Sequence, residues 1–161
     1  MAAPFRTTVI EPWIDYNGHL NEGYFAVVFG MASDDLLEQL GFNEHYRTTG
    51  GGTFYTVETH IRFIHELALG EDIRIEMRVV GLDEKRIHIW HEMYRELGAT
   101  LAATQESMLL HVDIEEIRVR PMSPNLHGAV LADYMSSRGA LPDAAGSAIT
   151  LLPPPGRIAE P

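Results

Sequence analysis

Residues 24–40 are apolar at first and become amphipathic towards their end. Residues 24–32 contain no charged side chain, and the first polar residue of the amphipathic half is Ser33. Asn21 is suited to cap the N-terminus of a helix, and Gly41 is suited to end one. The pattern therefore predicts one helix over residues 24–40. Because its first half is apolar all round, we expect that half to be buried all round.

After three consecutive glycines at residues 50–52, hydrophobic positions recur with a period of two, which is typical of β-strands. The predicted strands are residues 5–10, 55–63, 73–79, 87–94 and 100–112, and residues 114–120 are expected to extend the sheet. Hairpin turns are predicted at residues 69–72, 81–84 and 97–98.

In the strand predicted at residues 55–63, alternation assigns each side chain to one of two faces. Val57, Thr59 and Phe63 are predicted to share an apolar face. Glu58 and His60 are predicted to share the polar face behind it, where they can form ion pairs or line a cleft between subunits.

The order of these elements predicts an α+β fold, in which a curled antiparallel sheet of about five strands wraps around one long apolar helix. The sheet edges and the second sheet face then need cover, which a homodimer or a dimer of dimers would supply. Residues 1–136 are predicted to form this domain. Residues 137–161 are rich in Pro, Gly and Ala, and we expect a tail that is either disordered or extended along the body.

The composition is that of an ordinary globular protein, with 45% hydrophobic and 22% charged residues among 161. No apolar run is long enough to span a membrane, no secretory signal is recognised, and cysteine is absent. We therefore expect a cytoplasmic protein without disulfides or thiolate chemistry. The formal net charge of −11 disfavours nucleic acid and anionic membranes as partners, whereas a cationic ligand would meet a favourable field.

The turn before the predicted helix carries the pattern Asp15-x-x-Gly18-His19-x-Asn21. A carboxylate at Asp15 can activate water or attack a carbonyl itself, and the N–H groups of the adjacent helix N-terminus can hold an oxyanion. Gly18 and Gly23 would let a ligand approach the backbone closely. The alternative is that these residues only shape a turn and that Asn21 only caps the helix.

The longer motif Asp15-x-x-Gly18-His19-x-Asn21-x-x-Tyr24, followed by an apolar helix and antiparallel strands, resembles the 4-hydroxybenzoyl-CoA thioesterase-like branch of the hot-dog superfamily. Within it, residues 13–21, 56–63 and 152–158 are similar to the carnitine-associated thioesterases that act on betainyl-CoA.

The resemblance implies a hot-dog fold and a dimer with its active site at the subunit interface. It implies acyl-CoA as the substrate and no metal or prosthetic group. Asp15 would be the catalytic carboxylate, either nucleophile or general base. Asn21 and the N–H groups near Gly23 and Tyr24 would position the substrate or water, with His19 as a further donor or acceptor in the same turn.

Other side chains are weaker candidates for this site. Glu58 and His60 can orient water or contact the acyl group, and Lys85 and Arg86 can hold CoA phosphates or simply form a charged hairpin tip. The carboxylates of Asp34, Asp35 and Glu38 are interpreted as solvated. The aromatic residues that could bind a quaternary ammonium group through cation–π attraction are Trp13, Tyr16, Tyr24 and Trp90.

His88 and His91 are three residues apart on a predicted strand, so they face opposite ways and cannot readily share a metal ion. Two other functions remain open at this level. One is a hot-dog enoyl-CoA hydratase or dehydratase, which would use a histidine together with an acid. The other is an acyl-CoA-binding protein without catalytic activity.

Overall fold

The structure, a computed structural model, describes residues 2–137 and 141–153. Short 3-10 helices lie at Glu11–Trp13 and Leu97–Ala99. The main elements in chain order are β1 (Phe5–Thr8), α1 (Glu22–Gln39), α2 (Glu44–Thr48), β2 (Thr53–Phe63), β3 (Asp72–Leu82), β4 (Arg86–Arg95), β5 (Leu101–Asp113), β6 (Arg118–Val119) and α3 (Pro124–Ser137).

The strands form one antiparallel sheet in the order β1-β3-β4-β5-β2, with the two-residue β6 paired to β5. The predicted α+β arrangement, a curled sheet around one long helix, is confirmed. The hairpin predicted at residues 69–72 is wrong, because β2 pairs with β5 whereas β3 pairs with β1 and β4. A turn-forming sequence indicates that the chain changes direction there, but it does not determine which strand becomes the neighbour.

The inner face of the sheet packs against α1 and forms the core. Val28, Phe29 and Leu36 of α1 are completely buried there, against apolar side chains of β3 and β4 such as Ile75 and Ile89. The predicted N-terminal cap is confirmed, since the Asn21 side chain accepts a hydrogen bond from the backbone N–H of Gly23 at 2.9 Å.

The prediction that the first half of α1 is buried all round is wrong within one protomer. Val27 is 44% exposed and Met31 is 43% exposed, and Ala26 and Gly30 are exposed beside β2. An all-apolar pattern indicates that every face will be covered, but it does not say that the same chain provides the cover.

The alternation predicted for β2 holds only in its second half. The register shifts between Thr56 and Glu58, where a β-bulge inserts an extra residue. Thr56 therefore lies on the α1 side together with Thr59, while Glu58 stays on the outer side. Both faces of β2 are largely exposed, and the strand forms one edge of the sheet.

The opposite part of the sheet is closed by α3, a helix that was not predicted from the sequence. The N–H of Val79 donates to Asp133 Oδ2 at 3.5 Å, and Ser137 Oγ donates to the Val79 carbonyl at 3.3 Å. These contacts satisfy backbone groups next to the irregularity in β3 between Val79 and Gly81. Because α3 covers this part of β3, the edge of the strand is not available to pair with another chain.

Residues 141–153, which belong to the predicted tail, cross the outer face of the sheet. Glu106 is 1% exposed, and its carboxylate accepts hydrogen bonds from the N–H groups of Gly146 at 2.7 Å and Ile149 at 2.8 Å. The remainder of the predicted tail, residues 138–140 and 154–161, lies outside the described residues, so the division into domain and tail stays a prediction. Across the described parts of the chain, no helix is long and apolar enough to cross a membrane.

The two histidines of β4 face opposite ways, as predicted. His91 lies on the inner face, where its Nε2 is 2.9 Å from Ser33 Oγ, and it is completely buried. His88 lies on the outer face, with Nε2 3.7 Å from Glu106 Oε2. Burial lowers the pKa of His91 to about 4, so the folded protein keeps this imidazole neutral.

This burial predicts a pH dependence of stability. In the unfolded chain His91 has a pKa of about 6.5, so between about 6.5 and about 4 only the unfolded state takes up the proton. The free energy of unfolding should therefore fall as the pH drops through this window, by up to about 3 kcal/mol from this group. His91→Gln should flatten the fall in denaturant unfolding measured from about pH 7 to about pH 4, whereas exposed His45→Gln should not. An unchanged slope in His91→Gln would contradict the assignment.

Candidate functional site

A tight turn holds Asp15 in front of α1. The N–H of Asp15 donates to the carbonyl of His19, and the N–H of Gly18 donates to the carbonyl of Asp15, both at 3.0 Å. Gly18 has φ +81°, a left-handed conformation that favours glycine. Asp15 Oδ1 accepts from the N–H of Asn17 at 2.7 Å, and across the described residues Oδ2 has no hydrogen-bond partner. One carboxylate oxygen is thus fixed by the turn, and the other is available.

Further contacts fix the turn to the body of the protein. The N–H of Leu20 donates to the carbonyl of Leu67 at 2.7 Å, and the N–H of Asn21 donates to the carbonyl of Trp13 at 2.9 Å. Trp13 is 9% exposed and stacks on Tyr24, with 6.0 Å between ring centroids. These two aromatic side chains, which were predicted to bind the substrate, therefore pack against each other beside the turn and help to hold it in place.

The N-terminus of α1 is capped in this structure. The Gly23 N–H is taken by Asn21 Oδ1, and the Tyr24 N–H by the Asn21 carbonyl at 2.9 Å. A ligand oxygen can accept a hydrogen bond from the Gly23 N–H only if the hydrogen bond between this N–H and Asn21 Oδ1 is broken. The positive end of the helix dipole remains available at the same place.

Asp15 opens into a cavity of about 560 Å³, here called the Asp15 cavity. Its walls come from three parts of the chain: the turn with Tyr16 and Asn21, the first turns of α1 with Phe25, and residues 63–66 at the end of β2. Phe25 meets Phe63 edge to face, with 5.2 Å between ring centroids. Residues 63–66 were not recognised from the sequence, because they follow the turn by about fifty positions and carry no motif.

Three other predicted site residues do not line the Asp15 cavity. Glu58 and His60 lie on the outer face of β2, since they pair with Met108 and Glu106, whereas the cavity lies on the α1 side. The structure therefore does not bring these two residues to Asp15 within one protomer. His19 is exposed in the turn itself.

The predicted basic pair lies at the far end of the sheet. Arg86 pairs with Leu110 of β5, whereas Phe63 beside the Asp15 cavity pairs with Ala103, and seven residues along a strand span roughly 24 Å. Arg86 is held by Asp83 through two contacts, at 2.6 and 2.8 Å, while across the described chain Lys85 makes no salt bridge.

A second cavity of about 540 Å³, here called the Asp34 cavity, opens between α1 and β2. It is lined by Asp34 and Glu38 of α1, by Arg47 of α2, and by the rings of Phe42 and Phe54. Asp34 and Glu38, interpreted from the sequence as solvated, are exposed but lie at this cavity. Partial burial raises the pKa of Asp34, against the opposing effect of the Arg47 guanidinium.

The floor of the Asp34 cavity is polar. Gln105 is 5% exposed, and its Nε2 donates to Ser107 Oγ at 2.8 Å. Ser107 Oγ also lies 3.3 Å from Thr59 Oγ1. Within residues 2–137 and 141–153, Gln105 Oε1 has no hydrogen-bond partner, and no group of three or more His, Asp or Glu is arranged to hold a metal ion.

Comparison with known proteins gives consistent matches. A family model described as the thioesterase-like superfamily matches residues 12–130. A betainyl-CoA thioesterase of Pseudomonas aeruginosa is 33% identical over 150 residues, which cover 92% of this chain and 94% of that protein. A candidate thioesterase from Pseudomonas putida KT2440, known from a crystal structure, superposes with a TM-score of 0.79 at 32% identity and covers 92% of this chain and 95% of its own.

A longer relative is the L-carnitine dehydrogenase/betainyl-CoA thioesterase of Agrobacterium fabrum. It is 43% identical over 139 residues, which cover 85% of this chain. The matched region spans only 28% of that protein's length.

The cap at Asn21 yields a test of the local structure. Asn21→Ala removes the acceptor for the Gly23 N–H, and should lower the free energy of unfolding by about 1 kcal/mol. Asn21→Asp keeps an oxygen acceptor and adds a favourable charge at the helix N-terminus, so it should retain most of that stability. Denaturant unfolding of both variants distinguishes these outcomes. An equal loss in both would show that the side-chain oxygen is not the stabilising group.

Proposed function

The chain belongs to the thioesterase-like superfamily, and we propose that it hydrolyses an acyl-CoA thioester to a free acid and CoA. The observation that carries this proposal is Asp15, a half-buried carboxylate with one available oxygen, beside the N-terminus of α1 and open to a cavity. The names of the relatives support the same reaction.

Asp15 can act in either of two ways. As a general base it takes a proton from a water molecule, whose oxygen attacks the thioester carbonyl carbon. As a nucleophile its own oxygen attacks that carbon, the thiolate leaves, and water then cleaves the resulting anhydride. In both routes the carbon–sulfur bond breaks, CoA leaves as the thiolate, and the acid carries the new oxygen.

The carbonyl oxygen gains negative charge during the attack and needs a hydrogen-bond donor. The Gly23 N–H can fill this role, because it lies in the first turn of α1 and is held only by the Asn21 side chain. When the substrate oxygen takes this N–H, the Asn21 amide becomes available to hold the attacking water. The helix dipole stabilises the oxyanion in addition.

We propose a small cationic acyl group, with betainyl-CoA as the first candidate. The relatives named for this substrate support it, and so does the formal net charge of −11, which attracts cations. A cytoplasmic location belongs to the same proposal, because CoA thioesters are intracellular metabolites.

The proposed assembly is a homodimer formed through β2. This edge strand exposes Tyr55, Val57 and Phe63 by 48, 55 and 54%, and apolar residues of α1 such as Val27 and Met31 are also uncovered. A second copy paired along β2 would continue the sheet and bury these side chains. The dimer of dimers expected as an alternative has no comparable support, since residues 141–153 already cover part of the outer face.

The role of Asp15 is tested by Asp15→Asn, which keeps the shape and removes the charge. Turnover of betainyl-CoA, followed by thiol release, should fall by at least about 100-fold. Exposed Asp143→Asn should leave turnover unchanged. A folded Asp15→Asn protein with near-normal hydrolysis would eliminate the proposed role. Hydration of crotonyl-CoA without thiol release would favour the hydratase alternative, and binding without turnover the non-catalytic one.

The assembly is tested by Val57→Asp, which places a charge on the proposed interface. The wild-type protein should sediment at twice the chain mass of 18.0 kDa, and the variant should shift towards the single chain. Leu97→Asp is a matched control, because Leu97 is 94% exposed in the turn between β4 and β5. A monomeric wild type would contradict the dimer, as would a variant that stays dimeric.

A further inference from the structure

The Asp34 cavity has the properties of a site for a small organic cation. Its charged groups are two carboxylates, Asp34 and Glu38, and one guanidinium, Arg47, so they sum to one negative charge. Arg47 Cζ lies 5.3 Å from the centroid of the Phe42 ring, so this ring makes a cation–π contact with the guanidinium in the present structure. The cavity therefore combines an excess negative charge with an aromatic wall.

A second feature of the cavity independently indicates a ligand. Gln105 is 95% buried at its floor, and its Oε1 lacks a hydrogen-bond partner within the described residues. Although the residue as a whole is buried, this oxygen is open to the cavity, so it is suited to contact a bound group. A carbonyl oxygen is also a favourable neighbour for the polarised methyl groups of a quaternary ammonium ion.

Within one protomer this cavity is too far from Asp15 to hold the same small acyl group. Glu22 at the Asp15 cavity and Asp34 are twelve residues apart on α1, which corresponds to roughly 18 Å along the helix. The nitrogen of a betainyl group lies only two bonds from the carbonyl carbon. The cation of a substrate at Asp15 therefore cannot reach Asp34 of the same chain.

Pairing of two subunits through β2 would bring the Asp15 cavity of one subunit close to Asp34 of the other. In an antiparallel pair formed by β2 and its copy, a two-fold axis near Glu58, the middle of the strand, sets Phe63 opposite the partner's Thr53. Neighbouring strands are about 4.8 Å apart. Phe63 borders the Asp15 cavity, and Thr53 and Phe54 border the Asp34 cavity. The Asp15 cavity of one subunit then meets the Asp34 cavity of the other.

We infer that Asp34 of the partner subunit selects the cationic acyl group, by facing the quaternary ammonium of a thioester whose carbonyl lies at Asp15. This inference rests on the proposed function and on the homodimer. In it Asp34 determines specificity and takes no part in bond making. The Phe42 and Phe54 rings enclose the ammonium, and Arg47 moves aside from the Phe42 ring to admit it.

The test compares two substrates that differ in one atom. Betainyl-CoA carries the quaternary nitrogen, and 3,3-dimethylbutyryl-CoA carries a carbon in the same position with the same shape. In the wild type kcat/KM should favour betainyl-CoA. Asp34→Asn should reduce this preference by about tenfold to hundredfold, mainly through KM for the cationic substrate, since a charged contact is lost. Asp34→Glu should restore much of it.

Asp35→Asn is the matched control. It removes the neighbouring carboxylate, whose Oδ2 accepts from Gln39 Nε2 at 2.7 Å and which does not line the cavity. Its substrate preference should equal that of the wild type. An unchanged preference in Asp34→Asn, or an equal loss for both substrates, would overturn the inference while leaving the thioesterase proposal intact. A wild type that hydrolyses neither substrate would instead overturn the proposed function.

A mixed dimer tests whether Asp34 acts across the interface. Co-expressed Asp15→Asn and Asp34→Asn chains, purified with different tags, form heterodimers in which one site combines intact Asp15 with the partner's intact Asp34. If Asp34 acts on the partner's site, about half of the wild-type activity returns with its preference for betainyl-CoA. If it acts within its own chain, the remaining activity shows no such preference, and the inference fails.

Discussion

The packing of α1 on the inner face of the sheet is the contact on which the rest of the structure depends. Val28, Phe29 and Leu36 are completely buried in it, and they fix the helix as a rigid rod along the sheet. The turn with Asp15 is fixed at one end of this rod, and Asp34 lies in its second half. Because the rod does not shorten, both ends can serve one small ligand only if they belong to different subunits.

The inner face of the sheet is not uniform, and this explains where the cavities lie. Towards β3 and β4 it presents large apolar residues that fill the space under α1, whereas β5 presents the smaller or polar Ala103, Gln105 and Ser107. Small side chains leave room under the helix, and the hydrogen bond from Gln105 to Ser107 satisfies part of the buried polar surface. His91, kept neutral with a pKa of about 4, lies at the boundary between the two parts.

The sequence could predict features that depend on neighbours within a few residues. The Asn21 cap, the extent of α1 and the strands flanking each hairpin are of this kind. It could not predict the strand order, because the chain after β2 crosses to another neighbour without a distinguishing signal. A single inserted residue near Val57 reversed the faces of half a strand. The sequence could not place Asp34 at a cavity, because tertiary packing alone decides which side of the helix meets β2.

The charge distribution limits how a CoA thioester can be held. Most described arginines are engaged by carboxylates, as Arg86 is by Asp83, so binding a phosphate to them would first break an ion pair. Across the described chain, Arg62 and Lys85 make no salt bridge, and they lie near opposite ends of the sheet. In the proposed homodimer, a two-fold axis near the middle of β2 would bring the end with Lys85 of one subunit towards the end with Arg62 of the other. The pairing proposed to join the two cavities would thus also place the positive charges of Lys85 and Arg62 near the combined site, where the anionic part of the substrate needs them.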